Sequence, residues 1–323
     1  MEKIAVVTSG GDASGMNAAI RAVVRTAIYN KLKVIGIKRG YEGLVNGDIM
    51  TMELRSVSGI INHGGTILKT VRSAQFKTEE GQEKAIVVLK ENQIDGLVVI
   101  GGDGSFKAAI NLYEKYKIPI VGIPATIDND VPGTDMTIGF DTAVNTALEA
   151  IDKIRDTATS HERVFIVEVM GRSRGFIALE VGLASGAEFI LIPEIKYDLG
   201  KICDELATAH KRGKSSCIIV MAEGAGSAFA IADQIEKETG YEVRVSVIGY
   251  TQRGGSPTYR SRVLASRFGQ YAIEVLMKME TSDSPKCVGI RNEKIISYEI
   301  EYILKNEEKV DKELYELAQV LAI

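Results

Sequence analysis

Apolar residues along this chain follow two alternating rhythms. Short, nearly unbroken runs of β-branched and aliphatic residues occupy 4–8, 33–37, 96–100, 119–123, 164–169, 189–192, 217–222, 243–248 and 288–290. Runs without polar alternation predict strands covered on both faces, as in parallel sheets. Between them the apolar positions recur at helical spacing. Met16, Ile20, Val23 and Ala27 share one face, as do Val144, Leu148, Ile151 and, less squarely, Ile154. The stretch 299–323 is charged and helical in pattern. Strand–helix alternation throughout predicts an α/β fold with mainly parallel sheets flanked by helices. No Pro-rich or low-complexity linker marks a boundary. No simple repeat emerges, although strand, Gly-rich loop and helix recur as a theme.

Composition narrows the class. At 323 residues the chain has the length of about two domains. A net charge of −4 argues against a general nucleic-acid binder, which is basic over a domain. Any anion must then be held by local basic groups, so individual arginines matter more than their total. Cys203, Cys217 and Cys287 are odd in number and form no CxxC, which argues against a disulfide framework or zinc site. His63, His161 and His210 have no metal-ligand spacing. The first three residues run straight into an apolar strand, too short for a signal peptide, and no run approaches a membrane span. The expectation is a cytoplasmic protein with neither nucleic acid nor membrane as partner.

Candidate chemistry sits at strand ends. Thr8-Ser9-Gly10-Gly11-Asp12-Ala13-Ser14-Gly15 and Gly101-Gly102-Asp103-Gly104-Ser105 each follow a strand and open a helix. Paired glycines let backbone N–H groups approach phosphate oxygens, and the helix N-terminus adds a favourable dipole. Asp103 would repel phosphate unless a cation such as Mg²⁺ lies between them. Either loop alone reads equally well as a tight turn without a ligand. Two sequences imitate known motifs and fail. Gly213-Lys214-Ser215 has Thr208 where a P-loop needs Gly, and Phe229 takes the third glycine position after Gly224-Ala225-Gly226. After the strand at 119–123, Pro124-Ala125-Thr126-Ile127-Asp128-Asn129-Asp130 places two acids two apart. In an extended segment they point the same way. A base beside a metal-bound phosphate has this character. By itself the segment reads as an Asx turn around Asn129.

Those three segments, with Asp152-Lys153-Ile154-Arg155-Asp156-Thr157-Ala158, Met170-Gly171-Arg172, Ala222-Glu223-Gly224 and Gln252-Arg253-Gly254-Gly255-Ser256-Pro257, resemble the bacterial members of the phosphofructokinase family (group A). They cover nearly the whole chain, in order. The resemblance implies two lobes of Rossmann-like layers, residues 1–139 plus 252–302 for ATP and 140–251 plus 303–323 for sugar phosphate and effector. It implies ATP-dependent phosphorylation of fructose 6-phosphate at the 1-hydroxyl, a committing step of glycolysis, in a homotetramer. Asp128 matches the proton acceptor. Thr126 and Asp130 match groups placing the transferred phosphate and its Mg²⁺, and Asp103 matches the Mg²⁺-linked acid. Gly11, Arg72, Ser73, Gly102, Asp103, Gly104 and Ser105 match the ATP site. Met170, Gly171, Arg172, Glu223, Tyr250 and Arg253 match sugar-phosphate contacts, with Arg163 and Arg244 reaching in from a neighbouring subunit. Arginine suits these tasks because its planar donors can bind two phosphate oxygens at once.

Two positions bear on the donor. Pyrophosphate-dependent relatives resemble Gly-Gly-Asp-Asp and carry Lys before Thr-Ile-Asp-Asn-Asp, whereas this chain has Gly104 and Ala125. Gly104 leaves room for a nucleotide α-phosphate and Ala125 supplies no replacement cation, so both favour ATP. The alternative is a pyrophosphate-dependent phosphofructotransferase. Further off stand a NAD or lipid kinase and a catalytically silent sensor. The first gives no reason for 126–130, and the second none for retaining Asp128, Asp103 and Arg172. Tyr250 stands where many relatives have His, and Arg174 is an added charge for which pairing with an acid is expected. Arg21, Arg25, Arg155, Gly186, Glu188, Arg212 and Lys214 match an effector site where a nucleoside diphosphate activates and phosphoenolpyruvate inhibits. Arg21 and Arg25, at i and i+4, face one way on the first helix.

Overall fold

A computed structural model of the chain describes residues 1–322. They run as β1 (Lys3–Thr8), α1 (Met16–Tyr29), β2 (Lys33–Ile37), α2 (Gly40–Asn46), β3 (Ile49–Met52), α3 (Glu79–Glu91), β4 (Gly96–Gly101), α4 (Asp103–Lys115), β5 (Ile120–Thr126) and β6 (Ile138–Gly139). Then follow α5 (Phe140–His161), β7 (Val164–Val169), α6 (Phe176–Ser185), β8 (Phe189–Leu191), α7 (Leu199–Lys211), β9 (Cys217–Ala222), α8 (Ala228–Thr239) and β10 (Val243–Val247). The chain closes with α9 (Tyr259–Leu276), β11 (Lys286–Arg291), β12 (Lys294–Glu299), α10 (Ile300–Lys305) and α11 (Lys312–Leu321). The α/β class read from the apolar rhythm is the class found.

Two compact units result. The first takes Met1–Ile127, Val131–Thr142 and Arg253–Glu308; the second takes Asp128–Asp130, Ala143–Gln252 and the chain from Lys309 onward. The expected divisions were 139/140, 251/252 and 302/303. The structure divides inside α5, at Gln252/Arg253 and after Glu308, and gives Asp128–Asp130 to the second unit.

In the first unit the sheet order is β12-β11-β5-β4-β1-β2-β3, with β6 beside β5. The strands β2, β1, β4, β5 and β11 pair in parallel, and β3 and β12 add antiparallel edges. Every residue of β4 is buried, which is why it reads as an unbroken apolar run. The two antiparallel edges were not foreseen. Most residues of β3 and β12 are only half-buried or exposed, so they lack that signature. The β11–β12 turn does carry a local cue, since Asn292 and Glu293 both take positive φ (49° and 64°). Such a pair of left-handed residues closes a tight hairpin.

The second unit has its own parallel sheet, order β10-β7-β9-β8. Here β9 is the fully buried strand. Its core joins Ile166, Ile219 and Met221 of the sheet to Leu206 of α7 and Ile235 of α8. In both sheets the loops at the carboxyl ends of the strands are where an α/β fold places ligands. Cys203, Cys217 and Cys287 are all buried free thiols. Among the described residues no helix is long and apolar enough to cross a membrane.

Candidate active site

In the first unit the two glycine loops leave neighbouring parallel strands. β1 and β4 are in register with Thr8 opposite Ile100, and Ser9 N–H donates to the Ile100 carbonyl at 3.0 Å. Ser105 lies beneath both loops. Its hydroxyl is buried without a hydrogen bond, 3.2 Å from where a Cβ on Gly10 would stand. Its N–H is taken by the Gly102 carbonyl. A nucleotide contact expected of Ser105 is therefore not offered by its side chain in this arrangement. What Ser105 does is pack the loops together.

The first loop departs from its expected logic as well. A Cβ on Gly11 would run into the guanidinium of Arg253. That guanidinium donates to the Asp12 carbonyl at 3.1 Å and pairs with the Asp12 carboxylate at 3.3 Å. Glycine at 11 thus makes room for an arginine of the same chain. Arg253, expected on the sugar phosphate, is here engaged with Asp12. Ser14 fastens the same region by donating to the carbonyls of Gly254 and Gly255.

The remaining positions expected at the nucleotide are Arg72 and Ser73. Thr70 donates to the Gly10 carbonyl at 2.7 Å, two residues before the exposed Arg72. Ser73 donates to Glu42 at 2.6 Å and accepts from Phe76 N–H. Tyr41, stacked on Phe76, donates to the Ser105 carbonyl at 2.8 Å. Burial pushes the Tyr41 phenol far above its ordinary value, so it stays a donor. Tyr41 and Glu42 were not foreseen. Nothing in a lone Tyr-Glu pair distinguishes a buried anchor from a helix surface.

Asp103 opens α4 and is exposed. A Cβ on Gly104 would meet no protein atom within 4 Å, so the position faces open space. Thr126 ends β5 next to that loop, a Cβ on Gly102 standing 3.8 Å from its Cβ. Among the described residues no cluster of three or more His, Cys, Asp or Glu could hold a metal by itself. One carboxylate at the mouth of a phosphate loop suits Mg²⁺ that takes its other ligands from nucleotide phosphates and water.

In the second unit, Asp128 is 4% exposed. Its Oδ2 lies 3.2 Å from Nε of Arg172, on the turn after β7. The segment around it is not extended: the chain bends after Thr126 and Asn129 takes a left-handed φ of 51°. The two-residue alternation that put Asp128 and Asp130 on one side therefore does not apply. Arg172 links them instead. Burial raises the pKa of Asp130, while its own backbone N–H and the charges of Arg172 and Arg174 pull it down. Arg174 thus contributes charge near Asp130.

The turn bearing Arg172 is held by Glu223, whose Oε1 accepts from Gly171 N–H at 3.1 Å and Arg172 N–H at 2.7 Å. Met170 N–H goes to Gln252. Met170, Gly171, Arg172, Glu223 and Asp128 thus form one constellation. Tyr250 is 79% exposed. Arg163 and Arg244 lie elsewhere in the unit, sharing Glu242, with Arg163 at 2.7 Å.

The expected effector positions also divide by unit. Arg21 and Arg25 sit on α1, partly buried and exposed respectively. In the second unit Arg155 donates to the carbonyls of Ser185 and Gly186 at 2.7 and 3.0 Å. Glu188 receives Lys214 at 2.9 Å and Arg155 at 3.9 Å. A groove of about 1020 Å³ runs past Glu188, Arg212 and Lys214 toward Tyr197, Lys201 and Tyr315.

The phosphofructokinase family pattern matches residues 3–276. The chain is 55% identical over 323 residues, the full length of both, to the ATP-dependent 6-phosphofructokinase of Bacillus velezensis. Its structure is similar to that of phosphofructokinase from Saccharomyces cerevisiae, with a TM-score of 0.90 and 35% identity. That match covers 99% of this chain and 47% of the yeast chain. It is also similar to a pyrophosphate-dependent phosphofructokinase from Marinobacter aquaeolei, with a TM-score of 0.84, covering 97% of this chain and 86% of that one. At 24% identity the last likeness speaks to the fold alone.

Proposed function

The chain belongs to the phosphofructokinase family, and from that membership we propose that it transfers the terminal phosphoryl group of ATP to the 1-hydroxyl of fructose 6-phosphate. The reaction is that of a glycolytic kinase and gives fructose 1,6-bisphosphate and ADP. The observation that carries the mechanism is the buried Asp128 carboxylate held by an exposed guanidinium on a fixed turn.

Asp128 takes the proton of the attacking hydroxyl, a role that contributes about 10²- to 10⁴-fold in rate. Arg172 holds the carboxylate in place and lends positive charge to the transferring group. Glu223 already accepts two backbone N–H groups through Oε1, which leaves Oε2 for a sugar hydroxyl. On the nucleotide side, the glycine loops and the N–H groups of Asp103 and Gly104 at the start of α4 would offer backbone donors to phosphate, and Asp103 would hold the Mg²⁺ that arrives with ATP. That ion neutralises phosphate charge. Gly104, facing open space, supports ATP over pyrophosphate as donor.

The site of Arg155, Gly186, Glu188, Arg212 and Lys214 takes a nucleoside diphosphate or phosphoenolpyruvate, supported by its cluster of cations around one acid. Arg21 and Arg25 belong to the same function by resemblance. So does a cytoplasmic homotetramer in which Arg163 and Arg244 leave Glu242 for a neighbour's sugar phosphate.

A coupled assay with fructose 6-phosphate, run separately with MgATP and with pyrophosphate, tests the donor. Activity with pyrophosphate but not ATP refutes it. Asp128→Ser is expected to lower kcat by about 10²-fold or more with little change in KM. Unchanged turnover removes Asp128 from the role of base.

A further inference from the structure

Three consecutive backbone N–H groups follow β7, and each meets a side-chain oxygen. Those of Gly171 and Arg172 go to Glu223. That of Met170 goes to Gln252 Oε1 at 2.9 Å. Gln252 is 0% exposed, and its Nε2 donates to the Ala143 carbonyl at 3.4 Å. These partners leave the amide one orientation, since only its oxygen can face an N–H and only its nitrogen a carbonyl.

The turn held this way is one the chain resists. Gly171 has φ 141° and Arg172 has φ 54°. A left-handed residue with a Cβ is disfavoured, and such strain persists only where the surroundings over-determine it. The side chain of Arg172 is 64% exposed, so apart from its ion pair with Asp128 few neighbours confine its rotamers. Where its guanidinium goes is therefore set by the backbone that carries it.

We propose that Gln252 is a positioning residue for phosphoryl transfer: it holds Met170, and through that turn it presents Arg172 to Asp128. The proposal rests on the reading of Asp128 as base. Gln252 touches no reacting group; it acts through Arg172.

A kinetic double-mutant cycle tests this, using Gln252→Met and Arg172→Ala, singly and together, with MgATP and fructose 6-phosphate. In the native background Gln252→Met is expected to lower kcat about 10- to 100-fold, the scale of a 1 Å misplacement. KM for ATP stays within about twofold, because nucleotide binding is untouched. In the Arg172→Ala background the same change is expected to lower kcat by less than about twofold, since the residue it acts through is gone. An equal factor in both backgrounds overturns the proposal, as does a fall that only tracks the folded fraction. Gln252→Asn keeps the amide but is one methylene short of spanning Met170 and Ala143. It is expected to show the same pattern if Gln252→Met does not fold, and full activity in it sinks the idea. Asp128→Ser run alongside separates the two readings. Lost turnover there with equal factors in the cycle removes Gln252 alone, whereas retained turnover removes the base and this proposal with it.

Discussion

Arg172 offers a test in which strain and charge can be separated. Arg172→Ala and Arg172→Gly both delete the guanidinium and both leave the Asp128 side chain, 5% exposed, without its 3.2 Å partner. They differ in one Cβ. At φ 54° that Cβ costs roughly 1–2 kcal/mol. The extra freedom of glycine in the unfolded chain works the other way, by about 0.4–1 kcal/mol. The balance makes Arg172→Gly more stable than Arg172→Ala by about 1 kcal/mol. At an ordinary position glycine is the less stable of the two by about 0.5–1 kcal/mol, so the sign itself is diagnostic. Urea unfolding of the two variants, compared at equal slope, reads the difference directly. Both are expected to lose about 10²- to 10³-fold in kcat, so activity does not separate them and stability does. If the alanine variant is as stable as the glycine variant or more so, the turn stores no strain, and the account of Glu223 and Gln252 as its restraints loses its basis.

Two further expectations concern Asp130 and Gly104. Burial raises the pKa of Asp130 above its ordinary 3.8, so its contribution to stability is fully present below 3.8 and is lost as pH rises through the folded value. Asp130→Asn should therefore raise Tm relative to the parent at neutral pH, with the gain shrinking toward pH 4; a gain that grows on acidification contradicts the burial argument. Gly104→Asp puts a carboxylate where a Cβ meets no protein atom within 4 Å. Stability should stay within about 0.5 kcal/mol while KM for ATP rises, and an unchanged KM would mean that phosphate does not approach Gly104.

Parts of the fold that depend on local pattern were legible in the residues. The fully buried strands β4 and β9 announce themselves because both faces are covered. The edge strands β3 and β12 were missed because half-exposed strands mix polar and apolar positions. In the candidate site, the glycine loops stand out by residue type, while Asp103, Asp128 and Arg172 were singled out by the resemblance of ordered motifs. The bend at Asn129 was not, since a left-handed asparagine and an extended one look alike in a sequence.

By itself the sequence determined the α/β class and, through motifs in order along the chain, the family; the candidate base and the preference for ATP came with that resemblance. The class follows from periodicity, whereas the segment holding Asp128, read alone, is an Asx turn. Only the tertiary structure decided which groups meet. It placed Gln252 on the N–H of Met170, 82 positions away, and Arg253 on Asp12, 241 positions away. It also showed Ser105 facing into the protein and Gly11 making room for an arginine. The physical reason is that such partners are chosen by packing between segments distant in the chain, and a buried glutamine carries no mark along its own sequence to tell it from an exposed one.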